Sequence, residues 1–201
     1  IMGRPMAKNL INAGHSLTVF DKGGSAVEEL VASGAQAVKT TKEVAEKSSV
    51  VITMLPDSQD SEDVILGDNA LLEGSTPGSA ILDMSSIAPA MSQKIGAACE
   101  AKNIDFLDAP VSGGEPKAID ATLAIMVGGK KEVFDRHKHI FEILGSSIVL
   151  CGGYGAGNTT KLANQIVVAA NIEAVAEALV LAKKAGLNPT IVFGAVEGGL
   201  A

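Results

Sequence analysis

Ser79-Ala80-Ile81-Leu82-Asp83, running into Met84-Ser85-Ser86-Ile87-Ala88-Pro89, is the stretch that decides the fold. A short apolar run closes on an aspartate and two serines. A proline then stands where a helix can begin, because its fixed φ suits a first turn and its missing N–H costs nothing there. The unit is a strand passing into a helix, and it recurs on both sides. Upstream, Ser16 to Phe20 reads as a strand, Ala26 to Ala32 has helical spacing ended by Gly34, and Ser49 to Leu55 reads as a buried strand closed by the turn Leu55-Pro56-Asp57. Downstream, Ile104 to Leu107, Thr122 to Val127 and Ser147 to Leu150 read as further strands with helical stretches between most of them. Short apolar strands alternating with helices imply βαβ units and a mainly parallel sheet, an α/β fold.

The pattern changes after Gly152-Gly153-Tyr154-Gly155-Ala156-Gly157. From about Asn158 to Lys184 runs one Ala-rich helical stretch with no Gly or Pro, which would extend roughly 40 Å. That is longer than the crossovers of a compact α/β domain. The glycine-rich stretch is therefore read as a boundary, with one domain over residues 1–153 and the start of a helical domain over 154–201. The chain opens on Ile1-Met2-Gly3-Arg4-Pro5 and closes on Gly198-Gly199-Leu200-Ala201, and both ends read as cut.

Hydrophobic residues at 47% and charged residues at 19% of 201 fit a packed globular chain and not a disordered one. A net charge of −7 argues against a nucleic-acid partner, which calls for a basic excess. No apolar run is read as approaching the ~18–20 residues that cross a membrane. Cys99 and Cys151 stand without CxxC spacing and read as reduced thiols of a cytoplasmic protein. His15, His137 and His139 are read as solvated, and no cluster has metal-ligand spacing.

A dinucleotide site needs glycine where backbone approaches a pyrophosphate at a helix start. Gly3, ahead of a helix expected over Pro5 to Ala13, is the candidate, with a plain helix-start glycine as the alternative. Asp21 ends a strand where an acid would meet the ribose hydroxyls, or else it forms the turn before Gly23-Gly24. Lys22 beside it leaves NAD and NADP both open. Leu55 and Pro56, and then Ser85 and Ser86, lie at strand ends, where open α/β sheets bind ligands. Capping of the following helix is the competing reading of Ser86.

Asp108-Ala109-Pro110-Val111-Ser112-Gly113-Gly114-Glu115 ends another strand. Ser112 and Glu115 match a capping box, and the Ser112 hydroxyl with the Gly113 and Gly114 amides would also cradle a carboxylate. In Gly155 to Asn164, an Asn158 cap would set Lys161 in the first helical turn. The macrodipole and burial would then lower its pKa toward useful acid–base work. Asn164, three residues on, shares that face. The alternative is an ordinary surface lysine with a mid-helix asparagine.

Together, Met2 to Leu10, the Met54-Leu55-Pro56 turn, Asp83 to Ser86, Asp108 to Gly114 and Gly155 to Asn164 resemble, in order and nearly end to end, the β-hydroxyacid dehydrogenases. This is the family of the 3-hydroxyisobutyrate dehydrogenases and tartronate semialdehyde reductases. The resemblance implies a Rossmann-type doubly wound sheet lacking its first strand, then an all-helical domain through which the intact protein forms homo-oligomers. It implies NAD or NADP as cofactor and a small carboxylate-bearing aldehyde as substrate. It places Met2, Gly3, Leu55, Pro56 and Ser86 at the cofactor, Ser112, Gly113 and Gly114 at the substrate carboxylate, and Lys161 and Asn164 at the reacting carbonyl. Met84 to Pro89 and Glu115 to Asp120 look most like the tartronate semialdehyde reductases. That branch implies reduction to D-glycerate in glyoxylate or aldarate breakdown, with 3-hydroxyisobutyrate dehydrogenase activity as the near alternative. Non-catalytic relatives that keep the fold for interaction lose the lysine, and this chain has it. Ala121 departs from the family, which usually has Gly there; the methyl is either harmless or crowds a residue that wants positive φ.

Overall fold

A computed structural model describes residues 1–199, so Leu200 and Ala201 of the expected helical region lie outside the described residues. The elements, in chain order, begin with α1 (Gly3–Asn12), β1 (Thr18–Val19), α2 (Ser25–Ala32), β2 (Gln36–Ala37), α3 (Thr41–Glu46), β3 (Val50–Thr53), α4 (Ser58–Leu66), α5 (Leu71–Gly74) and β4 (Ala80–Asp83). They continue with α6 (Pro89–Ala101), β5 (Asp105–Asp108), β6 (Val111–Ser112), α7 (Gly114–Ile119), β7 (Leu123–Gly129), α8 (Lys131–Leu144), β8 (Gly145–Gly152), α9 (Ala156–Lys184) and α10 (Pro189–Glu197). The chain divides into two compact units, Ile1–Lys161 and Leu162–Ala201, and the division falls within α9.

The first unit is an α/β sandwich. The main sheet runs β3-β4-β5-β7-β6, with β8 on the other side of β7. Pairing is parallel for β3–β4, β4–β5 and β7–β8 and antiparallel where β7 meets β5 and β6. A separate parallel pair, β1–β2, shares no ladder with it among the described residues. The expected strands are present, and β2 and β6 are two that the sequence pattern missed. β6 continues the β5 ladder along β7 after the interruption at Ala109-Pro110, where the Pro110 carbonyl still accepts the Met126 N–H at 3.1 Å.

Side chains alternate across the sheet and build a core on each face. Leu82, Met84 and Leu107 join Met6 and Leu10 of α1 and Val133, Ile140 and Phe141 of α8 on one side. Ile81 and Phe106 join Ala45 of α3, Ile65 of α4 and Ile95 and Cys99 of α6 on the other. Helices thus cover both faces, the doubly wound arrangement that brings the C-terminal ends of β3, β4 and β5 to one edge. His137 of α8 is buried, not solvated, because Val133, Phe134, Ile140 and Phe141 carry that side of the helix into the core; burial pushes its imidazole pKa down.

The second unit continues α9 and adds α10, whose Asn188 side chain caps it by accepting the Thr190 N–H at 3.0 Å. Many of its apolar side chains are exposed, Ile166, Leu181 and Ile191 each by 70% or more, while Ala182 is buried. This corrects the expectation about apolar runs: α9 is long and apolar enough to cross a membrane by length and composition, with a mean hydropathy of 1.7 over its most apolar window. Glu173 and Glu177 near its middle would be costly in a bilayer.

Candidate active site

Two aspartates end adjacent parallel strands in register, Asp83 on β4 and Asp108 on β5, and both are fully buried. Asp83 Oδ1 accepts from Thr53 Oγ1 at 2.9 Å and from the Ser85 N–H at 3.1 Å. Ser85 Oγ in turn accepts the Leu55 N–H at 2.8 Å, which ties the β3 turn to the β4 turn. Ser85 is therefore spent inside the protein, and of the two serines expected at this strand end only Ser86 is exposed. Ser86 does not cap α6 either, because Ala88 is its N-cap and makes no side-chain cap bond. Burial raises the Asp83 carboxyl above its ordinary range.

Asp108 instead takes its donors from the start of α9. Its Oδ1 accepts the Gly155 N–H at 2.8 Å and its Oδ2 the Asn158 N–H at 2.9 Å. Asn158 was expected to cap this helix. Instead the helix starts at Ala156, and Asn158 is its third residue, buried to 1% exposure. The Asn158 side chain accepts the Ile87 N–H at 3.0 Å and donates to Ser92 Oγ at 3.0 Å. The capping function falls to Asp108, about fifty residues upstream. No local pattern announces such a partner. The signal available was the second of two acids bracketing the short strand Asp105-Phe106-Leu107-Asp108.

Lys161 consequently sits in the second turn of α9, not the first, and the macrodipole fades beyond the first turn. The side chain is half-buried, and burial lowers the ammonium pKa below the usual lysine range. The expected direction holds, through burial, one of the two causes expected. Asn164 follows on the same helix, half-buried, with Nδ2 donating to Gln165 Oε1 at 3.0 Å.

The Ser112 turn also differs from expectation. Ser112 belongs to β6, opposite Ala124, and Gly113, not Ser112, is the N-cap of α7. Gly113 at φ 139° and Gly114 at φ 67° occupy left-handed backbone that glycine alone takes readily. Both glycines are exposed and Ser112 is half-buried.

On the nucleotide side, α1 starts at Gly3, two residues earlier than expected. It has no acidic residue in its first turn and no side-chain cap on its amides, so nothing competes with an anion there. A Cβ on Gly3 would meet Met54 Cβ at 3.7 Å, an ordinary contact, so packing among the described residues does not by itself require glycine there. Met2 packs on the core, Leu55 is half-buried, and Pro56 is exposed. These residues fit a dinucleotide. Asp21 accepts the Gly23 N–H at 2.6 Å and so forms the local turn, and Lys22 lies 4.0 Å from Asp60 of α4. Among the described residues no three His, Cys, Asp or Glu side chains group as a metal set.

Residues 1–153 match the model for the NAD binding domain of 6-phosphogluconate dehydrogenase, and residues 155–201 match the NAD-binding module of NADP-dependent 3-hydroxyisobutyrate dehydrogenase. The chain is 49% identical over its whole length to 2-hydroxy-3-oxopropionate reductase of Escherichia coli (strain K12), covering 68% of that protein. The chain belongs to the 3-hydroxyisobutyrate dehydrogenase family. It is 41% identical over 190 residues to 3-hydroxyisobutyrate dehydrogenase of Pseudomonas aeruginosa, covering 94% of this chain and 64% of that one. The solved structure of Mycobacterium tuberculosis 3-hydroxyisobutyrate dehydrogenase with L-serine superposes with a TM-score of 0.89 at 35% identity, over 99% of this chain and 67% of that one. The chain thus spans about two thirds of the length of these relatives. Its family membership makes it an NAD(P)-dependent oxidoreductase with NAD or NADP as cofactor.

Proposed function

We propose that the protein reduces tartronate semialdehyde to D-glycerate, with Lys161 as proton donor. The observation that carries this is a half-buried lysine, its pKa lowered by desolvation, on the helix that Asp108 anchors to the strand ends. The 49% identity to an enzyme named 2-hydroxy-3-oxopropionate reductase supports the substrate.

Met2, Gly3, Asp21, Leu55, Pro56 and Ser86 hold the dinucleotide, and the reduced nicotinamide supplies a hydride when bound. The Ser112 hydroxyl and the Gly113 and Gly114 amides bind the substrate carboxylate, which orients the aldehyde. Lys161 Nζ gives its proton to the carbonyl oxygen as negative charge develops there. Asn164, one turn on, donates to the same oxygen and fixes its direction. A lysine of lowered pKa parts with its proton more readily near neutral pH than an exposed one.

A second reading, reduction of methylmalonate semialdehyde by the same groups, is favoured by the 41% identity to a 3-hydroxyisobutyrate dehydrogenase. Steady-state rates on the two semialdehydes with NADH and NADPH separate the readings. The exposed apolar side chains of α9 and α10 support homo-oligomerisation through the helical region, and two free thiols suit a cytoplasmic setting. Replacing Lys161 by Ala is expected to lower kcat by about 10³-fold while cofactor affinity stays near normal. Near-normal turnover in that variant ends the assignment.

A further inference from the structure

We infer that Asp108 and Asn158 form a buried clamp that sets the start of α9 and thereby aims Lys161, which makes them positioning residues for proton transfer. This rests on the reading of Lys161 as proton donor. Lys161 lies one turn beyond Asn158 on a rigid helix, so whatever fixes Asn158 fixes the origin of the lysine side chain.

Three independent attachments converge on that point. Asp108 holds two backbone N–H groups of the helix start, one with each carboxylate oxygen, at 2.8 and 2.9 Å. Asn158 ties the same turn to the segment after β4, through the Ile87 N–H, and to α6, through Ser92 Oγ. Backbone packing closes the third side. A Cβ on Gly157 would fall 2.4 Å from the Met126 carbonyl oxygen and 2.6 Å from that of Asp108, and a Cβ on Gly128 would fall 2.4 Å from Asp108 Oδ1. The helix therefore approaches β5 and β7 as closely as main chain allows, with glycine on both sides of the carboxylate. A helix needs only one cap to be stable, and an exposed Ser or Asp at its own N-cap would supply it. Using a fully buried acid from another element costs desolvation, and in return it fixes the helix start relative to the strand ends.

The Ile87 bond extends the argument. Ile87 directly follows Ser86, a proposed cofactor contact, so one asparagine side chain references both the proton donor and the cofactor segment.

Asp108→Asn replaces one acceptor oxygen by an NH2 group that opposes a backbone N–H. In the holoenzyme, kcat is expected to fall about 10²-fold, the usual cost of misplacing a reacting group by an ångström, with NAD(P)H affinity within about twofold of wild type. Freed from its desolvated position, Lys161 regains a more ordinary pKa, so the alkaline limb of the kcat profile moves to higher pH. A purely structural role would reduce the folded fraction and leave that limb in place; an unmoved limb, or kcat within threefold of wild type, overturns the proposal. Asn158→Ala keeps both Asp108 bonds and the close glycine packing and removes only the bonds to Ile87 and Ser92. It decides the matter if Asp108→Asn fails to fold: a roughly tenfold loss of kcat with the same upward limb supports the clamp, and an unchanged profile overturns it. Lys161→Ala is run alongside. Its retention of turnover defeats the lysine reading itself, whereas its inactivity together with a normal Asp108→Asn enzyme defeats the clamp alone.

Discussion

The ends of β4 and β5 present the same residue in register, and the two surroundings use it in opposite ways. At the β4 end, Asp83 meets a side-chain hydroxyl and a local amide on Oδ1, while Oδ2 lies toward Ser61 Oγ and, among the described residues, neither of those two atoms has a partner in hydrogen-bond geometry. At the β5 end, each oxygen of Asp108 takes an N–H from a helix start far away in sequence. Burial raises both carboxyls above the ordinary range. Only Asp108 has fixed backbone donors on both oxygens, and they oppose that rise. Asp83 links two neighbouring turns through a single oxygen, whereas Asp108, gripped by amides on both oxygens, is an anchor.

The largest effect that would sharpen this contrast is steric. Gly157→Ala forces a Cβ against two backbone carbonyls and is expected to destabilise the protein by about 3 kcal/mol in chemical denaturation, whereas Gly153→Ala, which meets nothing within 4 Å, should change little. Equal effects at both glycines would show that the anchor is not tightly packed.

Next comes the same substitution at both acids. Asp108→Asn leaves a buried N–H opposed by an NH2 and is expected to cost about 1–3 kcal/mol at pH 7. Asp83→Asn is expected to raise the melting temperature at pH 8, because the amide keeps the Oδ1 bonds and presents a donor toward Ser61. The pH dependence has a definite sign. A carboxyl whose folded pKa is raised binds its proton more tightly when folded, so its stabilising share is complete below the ordinary value near 3.8 and is lost as pH rises through the folded value. Asparagine cannot ionise, so the advantage of Asp83→Asn should vanish on acidification to that value. Melting curves across pH test this, and changes of equal sign at the two sites would erase the distinction.

The smallest expected effect lies away from both acids. Ala121 holds φ 56°, a left-handed conformation that costs a Cβ-bearing residue about 1 kcal/mol. Ala121→Gly should recover part of that, by less than about 1 kcal/mol, and a loss of stability would show that the alanine methyl is needed where it stands.

Local pattern was enough to place most elements. Pro89 opens α6 as its fixed φ requires, and the run from Ser79 to Asp83 became β4 because four consecutive apolar or closing residues are buried on both faces. Lys161 was legible as a half-buried helical lysine with a depressed pKa, through burial, one of the two causes expected. The pattern misled at Ser112, which is spelled as an N-cap but pairs with β7 and leaves the cap to Gly113, and at Asn158, where a good N-cap residue is drawn inside the helix by Ile87 and Ser92. In both cases a partner from a distant part of the chain decides the residue's place.

What the sequence determined by itself is the alternation of strand and helix, the two-sided core and the residue types available at the strand ends, because periodicity and backbone preference act over a few neighbouring residues. Which of two aspartates links turns and which anchors the lysine helix was decided only by tertiary structure. Identical side chains differ there through the donors that folding brings to them, and those donors lie up to fifty residues away.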